Sequence, residues 1–349
     1  MDRSIVPPPT AVATLVERAI GITTTIPVEV LYAAGIVPLD LNNLFVSAPD
    51  PLSLVAEAER SGFPRTCCCW TKGIYGAVRR HGIRRIIGVT QGDCSNTNAL
   101  MEALRFDGIE CIPFDFPHQP DAALMDESVR ALARVVGCDA PDAETWRSRL
   151  APARQKAAEI DRLTWQEGKV SGLENHLWLV STSDFCADPE GYTQQAECFI
   201  SQAAGRKPTP HLVRLGFVGV PPIVPGLYDC IEELGGLVVY NEIQRQFAML
   251  EPADSLAEQY SRYTYPYGVF ARAEDIRHEC ERRSLDGVIH YVQSFCFRRI
   301  EDRILRELVR VPVLTVECDM PGPVSGQLRT RIEAFIQMLD ARKRGRAVF

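Results

Sequence analysis

The chain has 349 residues, 46% hydrophobic and 24% charged, which suits a globular protein of two or three domains and excludes a disordered or fibrous one. A net charge of -7 with no dominant basic face argues against nucleic acid as a partner. No stretch approaches the roughly 20 apolar residues of a membrane span, and MDRSIVPPPTAVATLVERAI lacks the basic start and apolar run of a signal peptide, so a cytoplasmic location is expected.

In chain order, PVEVLYAA (Pro27 to Ala34) predicts a short helix, with Thr23, Thr24 and Thr25 available to cap it. IVPLDL (Ile36 to Leu41) predicts a strand, Thr71 to Arg80 a helix, and IIGV (Ile86 to Val89) a buried strand. A helix over Asn96 to Arg105 and a strand over Glu110 to Phe114 follow. From Asp121 to about Ala204 the periodicity is helical, with Pro152 as a point of kinking or division in a helix from Pro141 to Gln166. Strands return at Leu212 to Val220, Leu237 to Tyr240, Gly287 to Val292 and Val311 to Val316. They alternate with helices over Leu227 to Leu234, Ala273 to Arg283, Arg299 to Val309 and Gly326 to Arg344. Alternation of this kind predicts α/β architecture: two open, mostly parallel sheets with crossover helices. The expected division is an N-terminal lobe over 1–120, a helical region over 121–205 and a C-terminal lobe over 206–349.

Twelve cysteines are many for a cytosolic chain, where thiols stay reduced and disulfides are a poor explanation. Cys111, Cys138, Cys186, Cys198, Cys230 and Cys280 sit in apolar or helical patterns and read as small hydrophobes. Cys318 has no assignment. The run Cys67-Cys68-Cys69, Cys94 and Cys296 need another account. Cys94 and Cys296 each lie just past the carboxyl end of a predicted strand, one in each lobe, at the edge where open parallel sheets bind ligands. The triplet precedes a helix, whose positive N-terminal end favours thiolate. Thiolates converging from two lobes suit one iron–sulfur cubane with an open iron. Placement alone leaves buried structural thiols as an equal alternative, and zinc on three cysteines plus His290 or His211 as a third.

The segments IPVEVLYAAGIVPLDL, CCWTKGIYG, GVTQGDCSNTNALMEAL and FVGVPPIVPGLYDCIEELGGLVVYNE run in order along the chain. With DGVIHYVQSFCFRRIEDRILRELVRVPVLTVECDMPGPVSGQLRTRIEAF, from Asp286 to Phe335, they make the sequence resemble the D-component family of 2-hydroxyacyl-CoA dehydratases and benzoyl-CoA reductases. The resemblance implies two Rossmann-like or flavodoxin-like lobes with a cluster between them. It implies ligands at Cys68, Cys94 and Cys296, with Cys67 or Cys69 replacing Cys68 if the register shifts by one. The cofactor so implied is a [4Fe-4S] cluster with one open iron, or the [8Fe-9S] double cubane of one branch. A separate ATP-dependent activator would deliver one low-potential electron, and no G-x-x-x-x-G-K-[ST] loop occurs in the chain itself. In the dehydratases this electron makes a ketyl radical of an acyl-CoA thioester, which lets the hydroxyl leave. A homodimer, or a heterodimer with a paralogous subunit, is also implied. CCCW is an unusual form of the first ligand motif.

Thr24 and Glu242 are the catalytic candidates. The family places substrate-facing polar groups on the loop that holds Thr23, Thr24 and Thr25, where capping is the plainer alternative. Asn241 and Glu242 follow the strand LVVY, and Glu242 is a candidate proton carrier or a salt-bridged acid. Asp319 lines a cleft or makes a turn before Pro321. Arg329 and Arg331 bind a CoA phosphate or pair with Glu333, the pairing being preferred for Arg331. Gly216 to Gly219 does not fit G-x-G-x-x-G, so nicotinamide binding is not expected.

Overall fold

The structure, a computed structural model, describes residues 15–209 and 213–346. Eight strands among them form two four-stranded sheets, all parallel. The first has the order β2-β1-β3-β4. It is built from β1 (Ala19–Ile22), β2 (Val37–Asp40), β3 (Arg85–Gln91) and β4 (Glu110–Asp115). The second has the order β6-β5-β7-β8, from β5 (Val213–Gly219), β6 (Gly236–Asn241), β7 (Gly287–Val292) and β8 (Val313–Glu317). The fold class expected from the alternation of strands and helices is the one observed. Both sheets follow the flavodoxin-like order, whose switch point lies between the first and third strands of each set.

Parallel pairing requires crossovers, and helices supply them. In the first sheet α1 (Val28–Ala33) joins β1 to β2. Then α2 (Leu41–Val46), α3 (Pro51–Arg60) and α4 (Cys69–His81) lead to β3, and α5 (Ser95–Phe106) leads to β4. The middle of the chain forms α6 (Ala122–Val136), α7 (Ala140–Trp165), α8 (Gly172–Val180) and α9 (Pro189–Ala204). In the second sheet α10 (Leu227–Glu233) joins β5 to β6. It is followed by α11 (Glu242–Ala248), α12 (Leu256–Ser261) and α13 (Val269–Arg282) before β7, α14 (Arg298–Leu308) before β8, and α15 (Gly326–Arg346) at the end. Pro152 lies inside α7 without dividing it.

Two compact units result. The first takes the chain up to Ala157 with Ser181–Ala196 and Phe247–Gly268; the second takes Ala158–Val180, Glu197–Gln246 and the chain from Val269. The expected boundaries near 120 and 205 do not coincide with these. The helical stretch is shared out between the units, and 247–268 joins the first because of what it packs against. Tyr263 stacks edge-on against Phe116 (5.7 Å), and Tyr260 donates to the buried Glu29 carboxylate (2.8 Å). Glu29 also receives Arg154 (2.8 Å) and Gln259 (2.9 Å), which ties α1, α7 and α12 together in the first unit. In the second unit Arg283 donates to Asp161 (2.7 and 2.9 Å) and Glu279 (2.6 Å), under a core of Val239, Tyr240, Ile276 and Val288.

The threonines do not cap α1. Its N-cap is Pro27 with no side-chain bond, and Thr23 instead accepts the Val89 amide through Oγ1 at 3.3 Å. That bond ties the β1 loop to β3, a use no local sequence pattern announces.

Candidate functional site

The three predicted cysteines stand at helix starts, and Cys94 and Cys296 also lie just past the carboxyl ends of β3 and β7. Cys68 is the N-cap of α4, and its carbonyl accepts the Lys72 amide at 3.2 Å. Cys94 is the N-cap of α5, and its carbonyl accepts the Thr97 amide at 3.1 Å. Cys296 stands two residues before α14, and its carbonyl accepts the Arg299 amide at 2.9 Å. Cys68 and Cys94 belong to the first unit and Cys296 to the second. All three are half-buried, whereas Cys69 is sealed in the core at 1% exposure. Cys67 is half-buried too. Among the other cysteines, Cys230 and Cys280 are buried as expected, Cys111, Cys138 and Cys186 are half-buried, and Cys198 is exposed on α9. No disulfide joins any of the twelve.

Helix-start amides favour the Cys94 thiolate without capping it: the Asn96 and Thr97 N–H groups pull its pKa down, yet burial and the Asp93 carboxylate push this thiol up to about 11. Burial also pushes the Cys296 thiol up, opposed by the Arg298 amide and by the Arg298 and Arg272 guanidinium charges. A bound cation reverses this balance, because thiolate is then the stable form.

Neighbouring side chains fasten the cysteine loops. Asp93 accepts the Cys94 amide (2.7 Å) and the Thr97 hydroxyl (2.8 Å). Gly92 has φ +103°, and a Cβ there would stand 2.6 Å from Pro266, so the Tyr265–Tyr267 loop closes on it. Asp319 accepts both the amide and the hydroxyl of Ser294 at 2.7 Å, which fixes the loop to Cys296. Lys72 is buried beneath the triplet, paired with Glu59 at 2.8 Å.

Glu242 opens α11 at the carboxyl end of β6, 1% exposed. Burial raises its pKa, but the Arg272 charge, bonded to both carboxylate oxygens, and the Gly219 amide (2.9 Å) outweigh this and hold it below the usual range. The side chain is ion-paired, as one alternative expected, though buried rather than solvated. Arg272 passes on to Glu301 (2.9 Å), which Arg298 also reaches (3.0 Å). Sequence patterns gave no sign of this chain of charges, since Arg272, Arg298 and Glu301 look like ordinary surface residues of helices.

Thr24 lies on the loop after β1, 7% exposed. The Thr25 hydroxyl, 2% exposed, has no hydrogen-bond partner among the described residues. Arg331 donates to the Thr315 carbonyl (2.7 Å) rather than to Glu333, and Arg329 pairs with Glu233 (2.9 Å). His290 is buried against Asp302 (2.8 Å), and His211 lies outside the described residues. Among the described residues no three His, Cys, Asp or Glu side chains gather as a ready metal site, and no helix is long and apolar enough to cross a membrane.

Residues 23–339 match the family model of the 2-hydroxyglutaryl-CoA dehydratase D-component. The chain belongs to this family. No curated protein matches it. Membership makes the chain a 2-hydroxyacyl-CoA dehydratase-type component, one that works in general beside an activator component. The matched span includes Thr24, Cys68, Cys94, Glu242 and Cys296 of this D-component.

Proposed function

We propose that this D-component is the cluster-bearing part of a 2-hydroxyacyl-CoA dehydratase-like enzyme, with Cys68, Cys94 and Cys296 holding a [4Fe-4S] cluster and a separate ATP-dependent protein supplying the electron. The observation that carries the reading is the common placement of the three cysteines. Each stands at or within two residues of a helix start, Cys94 and Cys296 just past the ends of β3 and β7, and helix-start amides favour the thiolate at both of these. Helix starts suit thiolates holding an anionic cluster, because the positive ends of helices stabilise charge on sulfur. Bound there, the cluster supplies low-potential one-electron chemistry and an iron without a protein ligand. Asp93 and Asp319 keep the loops of Cys94 and Cys296 in place. Thr24 offers a hydroxyl to an acyl-CoA substrate on the β1 loop. Glu242 orients Arg272 near Cys296, a role its double pairing suits better than carrying a proton. Twelve cysteines without a disulfide suit a reducing, cytoplasmic setting.

A second reading draws on one specific observation. Phe295 (66%), Phe297 (39%) and Ile300 (80%), around Cys296, are exposed. An apolar face of this kind suits a subunit that docks on a like or paralogous partner and relays electrons, or a double-cubane reductase built as a dimer. Iron and acid-labile sulfide on anaerobically purified protein test both. About four of each per chain, lost in Cys68→Ala, Cys94→Ala and Cys296→Ala, supports the single cluster; about eight irons supports the double-cubane branch. No iron removes the proposal and leaves family and fold.

A further inference from the structure

His290 stands in β7 with no exposed surface. Its Nδ1 is 2.8 Å from Asp302 Oδ1. Asp302 already accepts the Thr315 hydroxyl and the Arg306 Nε (2.7 Å), with Arg299 at 3.5 Å. Despite burial, these donors hold its carboxyl well below the usual range. A carboxylate so surrounded can only accept, so the Nδ1 of neutral His290 carries the proton. Nε2 is then a bare lone pair, and it has no hydrogen-bond partner among the described residues. A buried acceptor left unmet is unfavourable, and such atoms are exceptions that call for an account.

The surroundings supply one. The Cδ2 edge of the ring lies against Gly219 of β5, where a Cβ would stand 3.0 Å away; Gly219 has φ +103° and gives its amide to Glu242. The charged groups facing His290 are Asp302 from α14, Arg272 from α13 and Glu242 from the start of α11. Thr315 of β8, the register partner of His290, gives its hydroxyl to Asp302. Burial pushes His290 below the usual imidazole range, against the pull of Asp302, so it is neutral at rest near pH 7. Arg272 and Glu301 also act on Cys296. One ion-pair chain, Glu242–Arg272–Glu301, therefore acts on both His290 and Cys296.

We infer that His290 with Asp302 is a charge-compensating proton site for Cys296: when negative charge arrives at the group that Cys296 holds, the Nε2 lone pair takes up a proton. This rests on the cluster reading above. The step balances as one electron from a low-potential one-electron donor and one proton from solvent, with no other bond made or broken. The imidazolium so formed is stabilised by Asp302, and its charge offsets the added electron without moving Arg272 or Arg298.

The test is a reductive titration of the anaerobic, iron-loaded protein with a titanium(III) chelate, followed by electron paramagnetic resonance from pH 6 to pH 9. A coupled proton shifts the midpoint by about 59 mV per pH unit, the one-electron equivalent of a tenfold change. His290→Asn keeps an N–H toward Asp302 but has no titratable nitrogen, so its midpoint is expected to be flat with pH at unchanged iron content. A flat wild-type midpoint overturns the proposal without any variant. A pH slope kept in His290→Asn overturns it as well. Both outcomes leave the cluster reading standing. Wild-type protein without iron or sulfide removes that reading, and this inference with it.

Discussion

The two sheets share one strand order, yet the acid that follows the second strand of each meets an opposite neighbour. In the first unit Asp40, at the end of β2, lies against Asp184, whose carboxylate accepts the Asp40 amide at 2.8 Å. In the second unit Glu242, just after β6, lies against Arg272. Both acids are 1% exposed, and burial pushes both pKa values up. What opposes burial decides the sign: neutral donors alone at Asp40, a guanidinium at Glu242. Asp40 stays raised, and Asp184 is pushed up to about 7 by burial and by Asp40, whereas Glu242 ends below its usual value. The same end of the sheet thus sets an acid beside a like acid in one unit and in a fixed ion pair in the other. The first arrangement sits beside strain. Phe185, Cys186 and Ala187 follow Asp184 with φ of 51°, 55° and 61°, a left-handed turn held by the Asp184 bond to the Cys186 amide (2.9 Å).

The largest effect is expected where a charge would be stranded. Arg272→Met leaves Glu242 buried without its cation, which costs about 3–5 kcal/mol in urea unfolding. Glu242→Gln strands Arg272 less severely, because Glu301 remains as its second partner. Asp40→Asn, at the equivalent place in the first unit, removes a repulsion instead. Its Oδ1 can still accept the Asn42 amide, and Ser183 can reverse its bond to accept from the new amide. A loss below about 1 kcal/mol for Arg272→Met would mean that the buried pair is relaxed or hydrated, and the contrast between the units would fall.

The next effect is a pH dependence of opposite sign in the two units. Asp184 is raised from 3.8 to about 7, so between these values the folded chain binds more protons than the unfolded one. Stability from this pair is therefore present at low pH and declines as pH rises from about 4 to about 7, by at most about 4 kcal/mol. The Glu242 contribution runs the other way: it is present above the unfolded glutamate value of about 4.3 and is lost as pH falls through the depressed folded value. Unfolding of wild type and Asp40→Asn at pH 5 and pH 8 separates them. The variant should gain relative to wild type at pH 8 and show a flatter profile between the two. Equal slopes in both proteins would show that Asp40 does not raise Asp184.

Much of this scaffold was legible in the sequence, because crossover helices and apolar strands have short-range signatures. Gly287 to Val292 reads as a strand with the bounds it has in the structure. The cysteine positions at strand ends were legible for the same reason. The central strand β1 was not: AIGI is too short to carry a period, and its extended state comes from pairing with β2 on one side and β3 on the other. The buried ion pairs were equally hidden. Arg272 and Glu242 are 30 positions apart and become partners only through the fold. His290, a candidate zinc ligand in the sequence, is hydrogen-bonded on one nitrogen alone. Asp184 gave no signal, since its importance depends on Asp40, 144 positions away.

The smallest effects concern the loops after β1 and β5, which occupy the same place in the two sheets and differ in chemistry. The β1 loop carries three threonines, and the β5 loop continues from Gly219 as Val220-Pro221-Pro222. Thr23 is spent on the fold, its hydroxyl accepting the Val89 amide. Thr23→Val leaves that amide unmet in a buried place and should cost about 1–2 kcal/mol. Thr25 makes no such bond, so Thr25→Val should change stability by no more than about 0.5 kcal/mol, or stabilise slightly by removing a buried unpaired hydroxyl. Urea unfolding of the two variants reads the difference. If Thr25→Val is as costly as Thr23→Val, its hydroxyl is part of the scaffold. If it is neutral to folding yet lowers kcat/KM for a 2-hydroxyacyl-CoA thioester, the loop has divided its threonines between holding the sheet edge together and meeting what binds there, a division the proline-bearing β5 loop has no hydroxyls to make.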